Sequence, residues 1–272
     1  MAKSAGKVPT ESKRDATVIP RIRAVPWMSK PRPGGIPGGV RKPLSVGTGG
    51  SMSRDSNLRV VTMFNHIPPW WSDPELVYHP CVEEAFILNG TVQLADRVYG
   101  PGCYVYRPPG ILHGGALVPS DIGATLFHRF ADEGGLLRYE GTELPHIDSQ
   151  PITDEYEDWP AQWVERVDSG ELPWLEVPKG PWEGAACKWL TRNRVTGGGT
   201  LLIKLPPYWT GVGSRAKGTI EEFVVEGACI MGGQYFDMWG YACRPAGAPA
   251  GSYASISEVQ LLCIWDEDEF AD

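Results

Sequence analysis

The chain repeats itself. Val25-Pro-Trp27 returns as Leu172-Pro-Trp174, and the run Val60-Val-Thr-Met-Phe-Asn-His66-Ile-Pro68-Pro69-Trp70-Trp71 is echoed by Leu201-Leu-Ile-Lys204-Leu-Pro206-Pro207-Tyr208-Trp209. Glu83-Glu84-Ala-Phe-Ile-Leu-Asn-Gly90 has its counterpart in Glu221-Glu222-Phe-Val-Val-Glu-Gly227, and Arg107-Pro-Pro-Gly110 in Arg244-Pro-Ala-Gly247. Four landmarks recurring in one order restrict the chain to two copies of a single fold unit, expected over residues 24–146 and 172–268.

Within each copy the apolar runs have strand length and are broken by Gly, Pro or Asn-Gly. The chain carries 33 Gly and 25 Pro, which favours turn-rich, all-β architecture over helix. Asn89-Gly90 reads as a tight hairpin turn, so each copy is expected to be a small antiparallel barrel or sandwich. A composition of 42% hydrophobic residues with eleven tryptophans can fill such a core. Residues 1–23 read as a flexible basic leader, and residues 147–171 as a linker in which 154–169 can form a short helix. Residues 269–272 form an acidic tail.

The formal charge of −8 is uneven: residues 1–50 hold ten Lys/Arg against Glu11 and Asp15, leaving the remainder near −16. An acidic body argues against a nucleic-acid partner. No apolar run has the roughly 18 residues of a membrane span, and no signal-peptide pattern opens the chain. The expected partner is therefore a small molecule and the expected location the cytoplasm. Six cysteines without CxxC spacing (Cys81, Cys103, Cys187, Cys229, Cys243, Cys263) read as reduced core residues.

Chemistry concentrates between His79 and His113. In a strand, residues i, i+2 and i+4 share a face, so Val77, His79, Cys81 and Glu83 can face one interior, and His113 can return to it after the Pro-Gly turn. Two imidazoles and one carboxylate on a triangular face leave adjacent coordination positions open, a set suited to Fe(II). Glu84 is the competing carboxylate, and strand parity turns it away from His79. His128, alternating with apolar residues in Ala124-Thr-Leu-Phe-His128-Arg-Phe130, and His66 are further candidate donors. His146 reads as a surface residue.

Gly90, Gly102, Pro109-Gly110 and His113, with His79 and Glu83, resemble the two cupin motifs. With the repeat, most of the chain is similar to a bicupin, two tandem double-stranded β-helix (jelly-roll) barrels, of the ChrR-like type that includes dioxygenases of acetylacetone and dihydroxyacetophenone. The resemblance implies one divalent metal in the first barrel, iron foremost with Zn, Mn or Ni as alternatives, held by His79, Glu83 and His113. It further implies carbon–carbon cleavage of a small carbonyl compound or aromatic ketone, and a homodimer. Where many cupins have a histidine two residues before His79, this chain has Val77, and His128 could supply the missing donor.

The second copy has no histidine. Its counterparts of His79, Glu83 and His113 fall near Ala216, Ile220 and Ala250, so it is expected to be degenerate, with Glu221 and Glu222 as surface carboxylates. Trp70, Trp71, Tyr78, Tyr104 and Tyr106 could line an aromatic entrance or simply pack the core. Arg107 is either a substrate anchor or half of a structural ion pair like its partner Arg244. Two other functions stay open: a non-redox isomerase, cyclase or hydrolase using the metal as Lewis acid, and a barrel that binds a small ligand without converting it. No GxSxG elbow, P-loop or dinucleotide fingerprint is present, and Gly197-Gly198-Gly199 lacks a phosphate-binding lysine pattern.

Overall fold

The computed structural model describes residues 16–29, 38–46, 60–79, 82–94, 97–108, 111–131, 137–138, 164–177, 182–194, 196–213, 215–249 and 251–267. Among these the chain is almost wholly β, its one helical element being the single 3-10 turn Ile22–Ala24. Among the described residues no helix is long and apolar enough to cross a membrane.

The chain divides into two compact units, one including Trp27–Asp168 and the other joining Arg14–Pro26 to Ser169–Asp272. In the first unit a seven-stranded antiparallel sheet runs, in spatial order, Val164–Asp168, Cys103–Arg107, Val82–Gly90, Ala124–Ala131, Val60–Ile67, Val40–Val46, Met28–Ser29. A smaller sheet runs Leu137–Arg138, Ser72–Tyr78, His113–Leu117, Val92–Leu94, Arg97–Tyr99. The second unit repeats the plan with Thr17–Ile19, Tyr241–Arg244, Ile220–Glu226, Val259–Glu267, Gly197–Leu205, Ala186–Arg192, Leu175–Glu176 in its large sheet. Its small sheet holds Thr210–Val212, Ser252–Ser255, Cys229–Met231 and Gln234–Phe236. This is the all-β jelly-roll architecture that the resemblance implied, in the two copies that the repeat marked out.

Two expectations about the segments outside the copies change. Part of the leader is ordered: Thr17–Ile19 pairs with Tyr241–Cys243 as an edge strand of the second unit. At the end of the linker, Val164–Asp168 is a strand paired with Cys103–Arg107, where a helix was expected, and the rest of that proposed helix lies outside the described residues. Val and Arg alternating around acidic residues satisfy an edge strand as well as a helix start, which is why the segment was ambiguous.

The alternation of Val82–Gly90 explains what reaches the interior. Ala85 and Ile87 join an apolar cluster with Ile67, Val105, Val118 and Leu126, against which Trp71 and Leu94 also pack. Glu84 and Phe86 take the opposite face, yet both are buried, so this central strand is covered on two sides and reads as a continuous apolar run broken by its two glutamates. The second unit has an apolar core that includes Trp182, Trp209, Trp265, Ile203 and Val224. The repeated Pro-Trp pairs serve as cation platforms: Lys42 Nζ lies 4.6 Å from the Trp27 ring, and Lys188 and Lys204 lie 4.4 and 4.6 Å from that of Trp174.

Asn89-Gly90 is not a hairpin turn. It is the point at which the chain leaves the large sheet for Val92–Leu94 in the small one, and Gly227 marks the same crossing in the second unit at φ +80°. A sheet switch and a two-residue turn both call for a residue at positive φ, so the Asn-Gly pair does not by itself tell them apart. Gly90 has φ +73°, and a Cβ there would stand 1.9 Å from the Gly123 carbonyl oxygen. Gly90→Ala is expected to destabilise the first unit by roughly 2–4 kcal/mol, measured as a lower midpoint in denaturant unfolding.

Candidate metal centre

His79, Glu83 and His113 meet in the first unit, bridging its two sheets. Glu83 comes from the large sheet, His113 opens a strand of the small one, and His79 directly follows the strand Ser72–Tyr78. Each of the three offers a donor atom within 4.8 Å of the others, and all are buried. Among the described residues they form the one such group. His79 Nε2 lies 3.5 Å from Glu83 Oε1, and His113 Nε2 lies 3.3 Å from Glu83 Oε2. Donors that bind one ion at about 2.1 Å stand roughly 3–3.5 Å apart, so the spacing and chemistry of this set fit a single divalent cation.

Protonation favours the same use. His113 Nδ1–H donates to the Ile111 carbonyl at 3.0 Å, which leaves the Nε2 lone pair facing Glu83. Burial pushes the His113 imidazole down to about 4, against the pull of Glu83, so the ring is neutral at neutral pH. Burial alone would raise the Glu83 carboxyl. The opposing influences of His113, His79 and Arg107 and a hydrogen bond from His128 overcome it and hold the group well below the usual carboxylate range. Two buried aromatic-ring contacts fix the imidazoles: Phe130 lies 4.7 Å from His79 and 4.4 Å from His128.

Val77, at the position of the missing histidine, is the direct cross-strand partner of His113. His128 reaches the cluster from the neighbouring strand, its Nε2 2.8 Å from Glu83 Oε1. His66 does not reach it: on the opposite face of its strand from Asn65, its Nδ1 meets Thr125 Oγ1 at 3.0 Å. Strand alternation keeps His66 away from the cluster, so of the two further candidate donors only His128 stands beside Glu83. His146 and Cys81 lie outside the described residues, and the other five cysteines are free and buried.

Of the residues expected to face substrate, Arg107 is at the cluster, its Nη1 donating to Glu83 Oε2 at 3.1 Å. Tyr106 is not. It shares a face with Tyr104, whose hydroxyl donates to Glu84 Oε2 at 2.8 Å, and Glu84 also receives Arg129 Nη1 at 2.7 Å. Tyr78 likewise alternates away from Val77 and His79. Trp70 is exposed on the turn after the double proline, at φ +56°, with its indole N–H donated to Asp121. Trp71 packs against the apolar cluster of the barrel interior. Asn65 was missed by sequence reasoning; its Nδ2 lies 2.9 Å from His128 Nδ1. The available signal was a polar residue in the inward register of Met63, Asn65 and Ile67.

The second unit shows what the same frame becomes without the ligands. Ile220 pairs with Arg244 as Glu83 does with Arg107, which places Ile220 in the glutamate position. Glu221 and Glu222 are not surface carboxylates, being 2% and 1% exposed. Glu221 accepts from the Tyr241 hydroxyl at 2.7 Å, repeating the Tyr104–Glu84 pair. Glu222 faces inward, where it holds Arg244 Nη2 at 2.9 Å and the Tyr253 hydroxyl at 3.0 Å, and Arg244 also donates to Tyr253. Alternation alone, with no cross-strand partner visible, had left these carboxylates looking like ordinary surface charge.

A family model described as Domain of unknown function (DUF4437) matches residues 66–246. The chain belongs to the DUF4437 family. The matched stretch contains the whole His79, Glu83, His113 and His128 group and reaches Arg244 in the second unit. No curated protein matches this DUF4437 chain. Among solved structures it is similar to a "putative dioxygenase" from Nostoc punctiforme PCC 73102, at 18% identity and a TM-score of 0.74, covering 97% of this chain and 86% of that one. It is also similar to salicylate 1,2-dioxygenase from Pseudaminobacter salicylatoxidans, at 12% identity and a TM-score of 0.58, covering 97% and 87%. A structure of the salicylate enzyme with gentisate matches at 14% identity and a TM-score of 0.52, covering 75% of this chain and 67% of that one. Likeness at these identities establishes the shared fold.

Two outcomes are expected. Glu83→Gln abolishes stoichiometric binding of Co(II) or Fe(II) while His66→Ala leaves it intact, as measured by metal analysis after gel filtration. Arg244→Met, which strands a buried carboxylate, lowers the stability of the second unit by roughly 3–5 kcal/mol in denaturant unfolding without changing metal content.

Proposed function

We propose that this DUF4437 protein is a ChrR-like bicupin and a metal-dependent dioxygenase, which cleaves a carbon–carbon bond of a small β-dicarbonyl compound or hydroxyaryl ketone at the first barrel. The observation that carries the reading is the buried two-histidine, one-carboxylate face of His79, Glu83 and His113. The fold shared with dioxygenases, one of them captured with gentisate, supports it. A divalent ion bound there, iron foremost, would supply Lewis acidity toward an enolate oxygen and open positions for activating dioxygen.

The protein's own contribution is a prepared surrounding. His113 presents a neutral ring with its Nε2 lone pair inward, because its Nδ1–H is donated to the Ile111 carbonyl. Arg107 is buried with its guanidinium on Glu83, so it fixes the carboxylate and leaves positive charge beside the place where a substrate enolate or carboxylate would lie. Phe130, Trp71 and the apolar cluster of Ile67, Ala85 and Val105 keep the interior dry, which suits a compact apolar ketone more than a sugar or polyol. The second unit, its interior closed by the Glu222–Arg244–Tyr253 group, takes no part in the reaction.

The test is oxygen uptake by the full chain loaded anaerobically with Fe(II), against a panel of β-dicarbonyls and hydroxyaryl ketones. One dioxygen consumed per substrate lost, with two carbonyl or carboxyl fragments, is the expected result. Conversion without oxygen uptake would replace this reading with redox-neutral Lewis-acid catalysis, and binding without conversion would replace it with a ligand-binding barrel.

A further inference from the structure

We infer that Asn65 and His128 form a positioning relay for Glu83, in which His128 donates a hydrogen bond to the carboxylate and is not itself a metal ligand; this rests on the metal centre proposed above. Asn65 Nδ2 lies 2.9 Å from His128 Nδ1. An amide nitrogen has only hydrogens to offer, so Nδ1 is the acceptor, and the proton of the neutral ring sits on Nε2. That nitrogen lies 2.8 Å from Glu83 Oε1. A ring whose Nε2 carries a hydrogen has no lone pair left there for a metal, while the hydrogen bond orients the carboxylate between His79 and His113. Phe130, 4.4 Å from the His128 ring, restrains its rotation.

The second unit supplies an independent observation. Cross-strand register places Met63 opposite His128 and Ala85 on its other side; the corresponding neighbours of Cys263 are Leu201 and Glu222. Cys263 therefore stands in the place of His128, Ile203 in that of Asn65 and Ile220 in that of Glu83. Where the ligating carboxylate is absent, both relay residues are absent with it. A histidine and an asparagine kept only to fill space would have no reason to follow the glutamate.

The experiment compares the full chain with His128→Leu, His128→Gln and Asn65→Leu. Co(II) affinity is measured by competition, and coordinated imidazoles are counted by pulsed EPR of the Cu(II)-loaded protein. Wild type is expected to show two imidazoles. Both leucine variants should keep two while binding Co(II) about 10–100-fold more weakly. His128→Gln, whose amide can still donate to Glu83, should stay within about threefold of wild type. Three imidazoles in wild type falling to two in either His128 variant would overturn the relay in favour of ligation, and unchanged affinity in both leucine variants would make the pair bystanders. A wild-type chain that binds no metal would sink the centre itself, and the relay with it.

Discussion

A carboxylate buried between two sheets has to be surrounded, and in this protein Glu83 sets what stands around it. At 5% exposure it cannot be solvated by water, so every oxygen must find a donor or a cation from a neighbouring strand. His113 comes from the small sheet and His79 from the residue just past its strand Ser72–Tyr78, while Arg107 and His128 come from the strands flanking Glu83 in the large one. The two faces of the jelly roll are thereby held in one register at one end, which is also the geometry a divalent ion requires. Fold and site are satisfied by the same contacts.

The second unit solves the same problem with a different set of partners. Its inward carboxylate, Glu222, stands two residues further along the strand than Glu83's counterpart Ile220, and it is neutralised by Arg244 and Tyr253. Burial raises the Tyr253 hydroxyl, as it does the Cys263 thiol nearby, and Glu222 pushes both further in the same direction. The interior is therefore a closed, internally compensated ion pair. A single topology thus surrounds its buried carboxylate with three imidazoles and an arginine in one copy and with an arginine and a tyrosine in the other, decided by a handful of inward positions.

Much of this was legible in the sequence because repeats and strand alternation are strong signals. The order of landmarks from Trp27 to Arg107 and from Trp174 to Arg244 gave two copies, and parity gave Glu83 over Glu84 and excluded nothing that the centre uses. What alternation cannot supply is register between strands. That is why Asn65 went unnoticed beside His128, and why Tyr106 was placed near a centre that lies on the other side of its strand. The same gap hid the partners of Glu221 and Glu222. Asn89-Gly90 shows a different limit: the sequence specified a positive φ, but whether the chain then folds back or changes sheets depends on what lies across from it, the carbonyl of Gly123.

The most direct measurement is the metal stoichiometry of the full chain after anaerobic Fe(II) loading and removal of loosely bound ions. One iron per chain is predicted, held by the first unit alone. No retained iron would contradict a metal centre at His79, Glu83 and His113, and two per chain would contradict the closed interior of the second unit.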